Sequence, residues 1–134
     1  MTVDRASEEV SYVDMEEAEY KRQNGQAIFV DVRPRIAYDY SHIRGAVSLP
    51  LALIAARPHV LPRDQELVLY ANTHEDPAAR KAARFLIEKG YLQVKALRGG
   101  IRAWEGAGYP VGTEFTPGEG IADEARYRQE LGQY

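Results

Sequence analysis

The sequence predicts an α/β fold with a mostly parallel central sheet. Short, nearly continuous runs of Val, Ile, Leu and Ala alternate along the chain with segments whose apolar residues recur at helical spacing. Runs of this kind are typical of strands that helices cover on both faces. Because parallel strands need long crossover connections, strands that are separated by helices favour a parallel sheet.

The first predicted element is a helix from Met15 to Arg22. Asp14 is placed to cap its first turn, and Glu17 is placed to reach back in a capping box. Asn24 and Gly25 are expected to end it, since both residue types tolerate the left-handed backbone that often follows a helix.

Two strands and two short helices follow. The first strand is Ala27–Val32, and Pro34 ends it because proline has no N–H to donate to a sheet. A short helix is predicted at Ile36–Tyr40, a second buried strand at Ala46–Pro50, and another short helix at Leu51–Ala56.

The second half of the chain repeats this alternation. A third strand spans Glu66–Ala71, and Asp76-Pro77 then supplies a cap and a favourable first helical residue. A fourth strand is predicted at Gln93–Leu97, followed by a short helix around Trp104, which is expected to lie in the core. The longer helix before the fourth strand has one apolar face, made of Ala78, Ala82, Phe85 and Leu86.

A chain of 134 residues suits one domain. The change in composition after Val111 separates a domain at residues 11–111 from a C-terminal extension at residues 112–134. Within the extension, Ile121–Leu131 is a helix candidate that docks on the domain, contacts a partner or frays at the chain terminus.

Composition and charge argue against several functional classes. The net charge is -3 and no basic cluster is present, so neither nucleic-acid binding nor membrane binding is expected. The chain has no cysteine, which removes disulfides, thiolate metal sites and thiol nucleophiles. The segment MTVDRASEEV is too polar for a signal peptide, and no apolar run is long enough to span a bilayer. A soluble cytoplasmic protein is therefore expected.

The loop after the third strand is the expected position of a functional site. In open parallel sheets, ligands bind outside the carboxyl ends of the strands. The loop from Ala71 to Asp76 lies at such an end, between a buried strand and the start of a helix.

Two blocks of the sequence resemble the rhodanese pattern. The first is DVRPRIAYDYSHIRGAVSLP, which is similar to Asp-Val-Arg, a variable acidic or aromatic segment, Gly-His-Ile-x-Gly-Ala and a closing proline, with Ser41 in place of the usual glycine. The second is GYLQVKALRGGIRAWEGAGYPV, which is similar to the closing block of the family. The resemblance implies a single rhodanese-like domain with a central parallel sheet of about five strands flanked by helices, of which the pattern locates four.

In active rhodaneses the third of these strands runs into a cysteine that carries sulfur as a persulfide. Loop N–H groups and a helix N-terminus stabilise the anion. The resemblance places Ala71 at the position of that cysteine, and the loop that follows has no arginine and no glycine. It therefore implies a vestigial active-site loop made of Ala71, Asn72, Thr73, His74, Glu75, Asp76 and Pro77.

The chemistry of this replacement argues against sulfur transfer and predicts no catalytic residue. A methyl side chain cannot carry a persulfide, and Glu75 and Asp76 place negative charge where a sulfur anion needs positive potential. Thr73 with His74 as its base is a weak substitute, because adjacent loop residues seldom point at each other and no third orienting group is present.

No metal and no cofactor are expected, because consecutive residues such as His74-Glu75-Asp76 rarely converge on one ion. Asp31 and Arg33 are candidate neighbours of the pocket. Asp31 is expected to accept backbone N–H groups. Arg33 either faces the pocket, where it gives some anion affinity, or pairs with Asp39.

The sequence thus predicts a catalytically inactive domain that acts as a binding or regulatory module. Its partner is expected to be a protein, or a small anion or other ligand in the vestigial pocket. The alternative is a thiosulfate or persulfide sulfurtransferase whose nucleophilic cysteine is replaced by Ala71, naturally or by engineering. The combined loss of the thiol, the glycine and the basic residue favours natural divergence.

Overall fold

A computed structural model describes residues 10–113 of the chain. With strands and helices numbered in chain order, the central sheet contains β1 Ser11–Val13, β2 Ala27–Asp31, β4 Val47–Ser48, β5 Glu66–Tyr70 and β6 Val94–Leu97. A separate antiparallel pair joins β3 His42–Ile43 to β7 Val111–Gly112. The helices are α1 Met15–Gln23, α2 Arg35–Tyr40, α3 Leu51–Ile54, α4 Ala78–Glu88 and α5 Gly100–Gly106, and a 3₁₀ turn covers Pro58–Val60.

The central sheet has the strand order β1-β6-β5-β2-β4, and all of its neighbouring strands run parallel. The predicted α/β fold with a five-stranded parallel sheet is confirmed. The strand that periodicity did not locate is β1, which has only three residues and pairs with β6 from Ser11 to Val13. A strand this short is set by its neighbour in the sheet and not by its own pattern.

The predicted strand Ala46–Pro50 lies at the correct position, but it is longer than the observed strand β4. Only Val47–Ser48 pair with β2, opposite Val30 and Asp31. This strand lies at the edge of the sheet, and Pro50, which lacks an N–H, turns the chain into α3. The two-residue strands β3 and β7 were not predicted, since a run of two residues carries no periodicity.

The predicted capping box at the start of α1 is wrong. Asp14 occupies the N-cap position, but its carboxylate accepts a hydrogen bond from Arg98 Nε at 2.8 Å and none from the helix backbone. The Glu17 carboxylate oxygen Oε2 instead lies 3.0 Å from Lys21 Nζ, one turn along the helix. Arg98 directly follows β6, so the partner of Asp14 is supplied by tertiary structure, which local sequence cannot reveal.

Helices cover both faces of the sheet, and alternate residues of β5 point to opposite faces. Leu67 and Leu69 belong to the cluster that contains α4, whereas Val68 and Tyr70 belong to the cluster that contains Trp104. All five of these side chains are 0% exposed. Burial on both faces is the reason that this strand reads as a continuous apolar run.

No helix within residues 10–113 is long and apolar enough to cross a membrane. The helix that was predicted at Ile121–Leu131 lies outside the described residues.

Glu19 on α1 makes the stability of the fold depend on pH. The hydrogen bond from Arg22 lowers the pKa of its carboxyl below the ordinary 4.5, with burial opposing this and a hydrogen bond from Gln23 assisting it. A carboxyl with a lowered pKa in the folded state contributes stability above the ordinary pKa, and that stability is lost as the pH falls. Glu19→Gln is expected to lower the free energy of unfolding at pH 7 by about 1 kcal/mol.

Urea unfolding of both proteins at pH 7 and below pH 4 measures this effect. The difference between Glu19→Gln and the unmodified chain is expected to shrink as the pH falls. Glu16→Gln, at an exposed position of the same helix, is the matched control. A difference that stays constant with pH would show that Glu19 acts through packing alone.

Candidate functional site

The candidate site begins where β5 ends. Ala71 follows Tyr70 directly, is 1% exposed and packs in the same cluster as Val32 and Ala96. After it, the side chains of Asn72, His74, Glu75 and Pro77 are exposed. The junction therefore has a buried methyl group at its base and a polar, acidic loop above it.

The start of α5 holds the base of this loop through the backbone. The N–H of Ile101 donates to the carbonyl oxygen of Ala71 at 3.0 Å, and the N–H of Arg102 donates to that of Asn72 at 2.9 Å. Gly100 makes this approach possible, because a Cβ at its position would lie 2.7 Å from the Asn72 oxygen and 2.8 Å from the Thr73 nitrogen. Its φ of +68° also favours glycine.

Asp76 holds the other end of the loop. One carboxylate oxygen, Oδ1, accepts the N–H of Ala78 at 3.0 Å, so the side chain satisfies a free donor at the start of α4. The other oxygen, Oδ2, accepts Asn72 Nδ2 at 3.2 Å and lies 3.4 Å from the backbone nitrogen of Asn72. The predicted cap is one residue out of place, because α4 begins at Ala78 and Pro77, not Asp76, occupies the N-cap position. The Asp76 side chain nevertheless accepts the N–H of the first helical residue.

His74 lies against β1 and not against a nucleophile. Its ring centroid is 5.3 Å from that of Tyr12, and the guanidinium of Arg98 lies 5.3 Å from the centroid of the same Tyr12 ring. Among the hydrogen bonds of residues 10–113, none joins Thr73 to His74, so the geometry gives no support to a Thr-His pair. No group of three or more His, Asp or Glu side chains in this range is arranged to hold a metal ion.

Asp31 and Arg33 form a buried ion pair behind the loop. Asp31 Oδ1 accepts the backbone N–H of Arg33 at 2.9 Å, and Oδ2 accepts its Nη2 at 2.7 Å. Burial opposes the charge of Arg33, but the hydrogen bonds and the charge of Asp31 outweigh it and raise the Arg33 pKa above its ordinary range. Asp39 pairs with Arg35 at 2.8 Å, so the suggested pairing of Arg33 with Asp39 is wrong.

Tyr70 lies opposite Asp31 on the neighbouring strand β5 and is buried with the Asp31–Arg33 pair. Its hydroxyl oxygen accepts the N–H of Ile43 at 3.0 Å. Burial and the nearby charge of Asp31 raise the pKa of the hydroxyl well above its ordinary range, so it stays protonated. Because the guanidinium of Arg33 is already bound to Asp31 and to the carbonyl oxygen of Ser41, it is committed within the fold.

The profile of the rhodanese-like domain matches residues 14–107, which is most of the chain. The chain belongs to the rhodanese-like family. The match spans β2, the loop after β5 and the Gly99-Gly100 turn. It thus includes almost all of the two sequence blocks that resemble the rhodanese pattern. A solved structure of a protein from Bacillus halodurans is 28% identical, with a TM-score of 0.72 over 77% of each chain.

Two curated relatives differ in the function that their names give. An HTH-type transcriptional regulator of Mycobacterium tuberculosis is 35% identical over 100 residues, which are 75% of this chain and 44% of the regulator. This chain therefore spans less than half of that protein. A sulfurtransferase of Allochromatium vinosum is 33% identical over 84 residues, which are 63% of this chain and 77% of the relative.

Two features around the loop were not predicted from the sequence. The Tyr12 contact with His74 depends on β1, which periodicity did not locate. The close approach of Gly100 to Asn72 joins residues far apart in the chain, and the only local signal for it is the Gly99-Gly100 pair. Gly100 is thus a packing glycine as well as a turn residue.

Gly100→Ala is expected to destabilise the domain by about 1–3 kcal/mol, because the new methyl group meets the backbone of Asn72 and the left-handed φ strains any other residue. Gly106→Ala, at the other end of the same helix, is the matched control, since nothing lies within 4 Å of its Cβ position. Chemical unfolding of both variants measures the difference. Equal stabilities would show that the backbone contact does not hold the loop.

Proposed function

We propose that this rhodanese-like domain is a non-catalytic binding or regulatory module. The observation that carries this proposal is the junction after β5, where Ala71 stands at the position that the family resemblance gives to the sulfur-carrying cysteine. With no cysteine in the chain, no thiol is available there to accept sulfur.

The acidic loop supports the same conclusion. A persulfide at this junction would be an anion, and it would need the N–H groups of the loop and of α4 as donors. Asp76 already accepts the N–H of Ala78 at 3.0 Å and faces that of Asn72 at 3.4 Å. A carboxylate of the protein itself therefore uses donors that a sulfur anion would require, and its charge repels such an anion.

The buried pair Asp31–Arg33 supports it further. An arginine at the carboxyl end of β2 is a reasonable anion ligand when its guanidinium is free. Here Arg33 Nη2 lies 2.7 Å from Asp31 Oδ2, and only 8% of the Arg33 side chain is exposed. We infer that a small anion has little to bind at this edge, which favours a protein as the partner.

One of the two relatives supports a regulatory role. The similar part of the Mycobacterium tuberculosis protein lies within a transcriptional regulator and accounts for 44% of its length. By analogy, we propose that the present domain senses or contacts a partner without changing it chemically. The exposed loop side chains Asn72, His74 and Glu75 form the proposed contact surface.

The second candidate function is sulfur transfer with a replaced nucleophile. It is favoured by the sulfurtransferase of Allochromatium vinosum, of which the similar region covers 77%. Under this alternative, the loop would still suit a sulfur anion, and restoring the thiol would restore the reaction. The two proposals therefore differ in what the loop does to a cysteine at position 71.

Ala71→Cys tests this difference with a single thiol, because the chain has no other cysteine. The pH dependence of alkylation by iodoacetamide is expected to give a thiol pKa at or above the ordinary value of about 8.5, since burial and Asp76 both disfavour the thiolate. The double variant Ala71→Cys/Asp76→Asn is expected to have a lower thiol pKa. Formation of thiocyanate from thiosulfate and cyanide is expected to be undetectable for the single variant.

The alternative function makes the opposite prediction for the same variant. A lowered thiol pKa together with turnover in Ala71→Cys alone would show that the loop still suits a sulfur anion. That result would contradict the non-catalytic proposal and favour a replaced nucleophile. A circular dichroism spectrum matching the unmodified chain is the control for folding.

Glu75→Ala tests the proposed contact surface. Because Glu75 is exposed, its removal is expected to change the free energy of unfolding by less than about 0.5 kcal/mol. The affinity for a protein partner isolated on the unmodified chain is expected to fall several-fold. Glu88→Ala, an exposed glutamate at the far end of α4, is the matched control and is expected to bind normally. Equal affinities of the two variants would place the interface elsewhere.

A further inference from the structure

Two large apolar side chains of α2 are exposed on one face of the helix. Ile36 is 81% exposed and Tyr40 is 86% exposed, and they stand four residues apart, so they are neighbours on the helix surface. Pro34, just before the helix, is exposed as well. Single exposed apolar residues are ordinary on protein surfaces, whereas adjacent ones together form a candidate contact surface. We call Ile36 and Tyr40 the α2 patch.

The described part of the chain ends next to this patch. β7 pairs antiparallel with β3, with Val111 opposite Ile43 and Gly112 opposite His42. Going backwards along the chain from His42 leads through Ser41 to Tyr40, the last residue of α2. Because the two strands are antiparallel, the chain that leaves Gly112 heads toward the same end of α2.

The residues that continue from this point include apolar side chains within reach. Residues 114–134 contain Phe115 two positions after Thr113, and Ile121 further on. Two extended residues span about 7 Å, and α2 with its six residues is about 9 Å long. The chain length after Thr113 therefore allows Phe115 to reach the Tyr40 end of α2.

We propose that residues 114–134 of the same chain cover the α2 patch, with Phe115 packing against Tyr40 and Ile36. Tethering favours this occupant over a separate molecule, because a short tether gives an effective concentration in the millimolar range. α2 follows β2 at the carboxyl edge of the sheet, the edge at which the loop after β5 also lies.

The absence of cysteine allows a direct test on the full chain. Gly120→Cys introduces one thiol, which is labelled with a nitroxide, and the isoleucine methyl groups are labelled with ¹³C. The Ile36 methyl signal is expected to be broadened far more than that of Ile87, which packs on the other face of the sheet with the α4 cluster. Reduction of the nitroxide supplies the reference spectrum.

Phe115→Ser in the labelled chain separates docking from mere tethering. It is expected to restore most of the Ile36 signal, and Tyr40→Ser is expected to do the same from the other side of the contact. Ile121→Ser is the matched control in the extension and is expected to have a smaller effect. Unchanged broadening of Ile36 in Phe115→Ser would overturn the proposal.

A second experiment tests whether another copy of the chain covers the patch. It mixes nitroxide-labelled chains without ¹³C and ¹³C-labelled chains without nitroxide. Broadening of Ile36 in this mixture would show that a second copy covers the patch, which would also overturn the proposal. Under the intramolecular account, the mixture gives the reference spectrum. The positions of the other isoleucine signals report whether each variant is folded, so a loss of fold is not mistaken for a loss of docking.

Discussion

The backbone contact between the end of β5 and the start of α5 sets the position of the loop at the candidate site. Two N–H groups of α5 donate to the carbonyl oxygens of Ala71 and Asn72, and Gly100 lets the two backbones approach. These carbonyl groups lie at the base of the loop, where buried polar atoms need partners. The loop is thus fixed at its base by the fold and at its far end by Asp76.

The charged groups at this edge of the sheet are largely committed to one another. Asp31 binds Arg33, and Asp14 binds Arg98. Asp76 binds N–H donors of its own loop and of α4. A site built for a sulfur anion would instead leave donors free and would gather positive charge around them. The proposal of a binding module follows from this use of charge as much as from the missing thiol.

Much of the fold was predictable from the sequence. Strands such as β2 and β5 are buried on both faces, and they therefore appear in the sequence as continuous apolar runs. The position of the loop at the candidate site was predictable for the same reason, since Ala71 follows one of those strands. Three features could not be predicted, because each depends on residues far away in sequence. They are the partner of Asp14, the length of β4 and the contact of His74 with Tyr12. Arg33 shows a different limit: both Asp31 and the suggested partner Asp39 are near it in sequence, and only the folded geometry shows that Asp31 binds it while Asp39 binds Arg35.

The central claim is that this cysteine-free domain does not transfer sulfur. The most direct measurement is the formation of thiocyanate by the unmodified chain, with thiosulfate and cyanide as substrates and an active thiosulfate sulfurtransferase as the positive control. The account predicts a rate equal to that of a reaction without protein. Turnover above that rate, in proportion to the concentration of this cysteine-free chain, would contradict it.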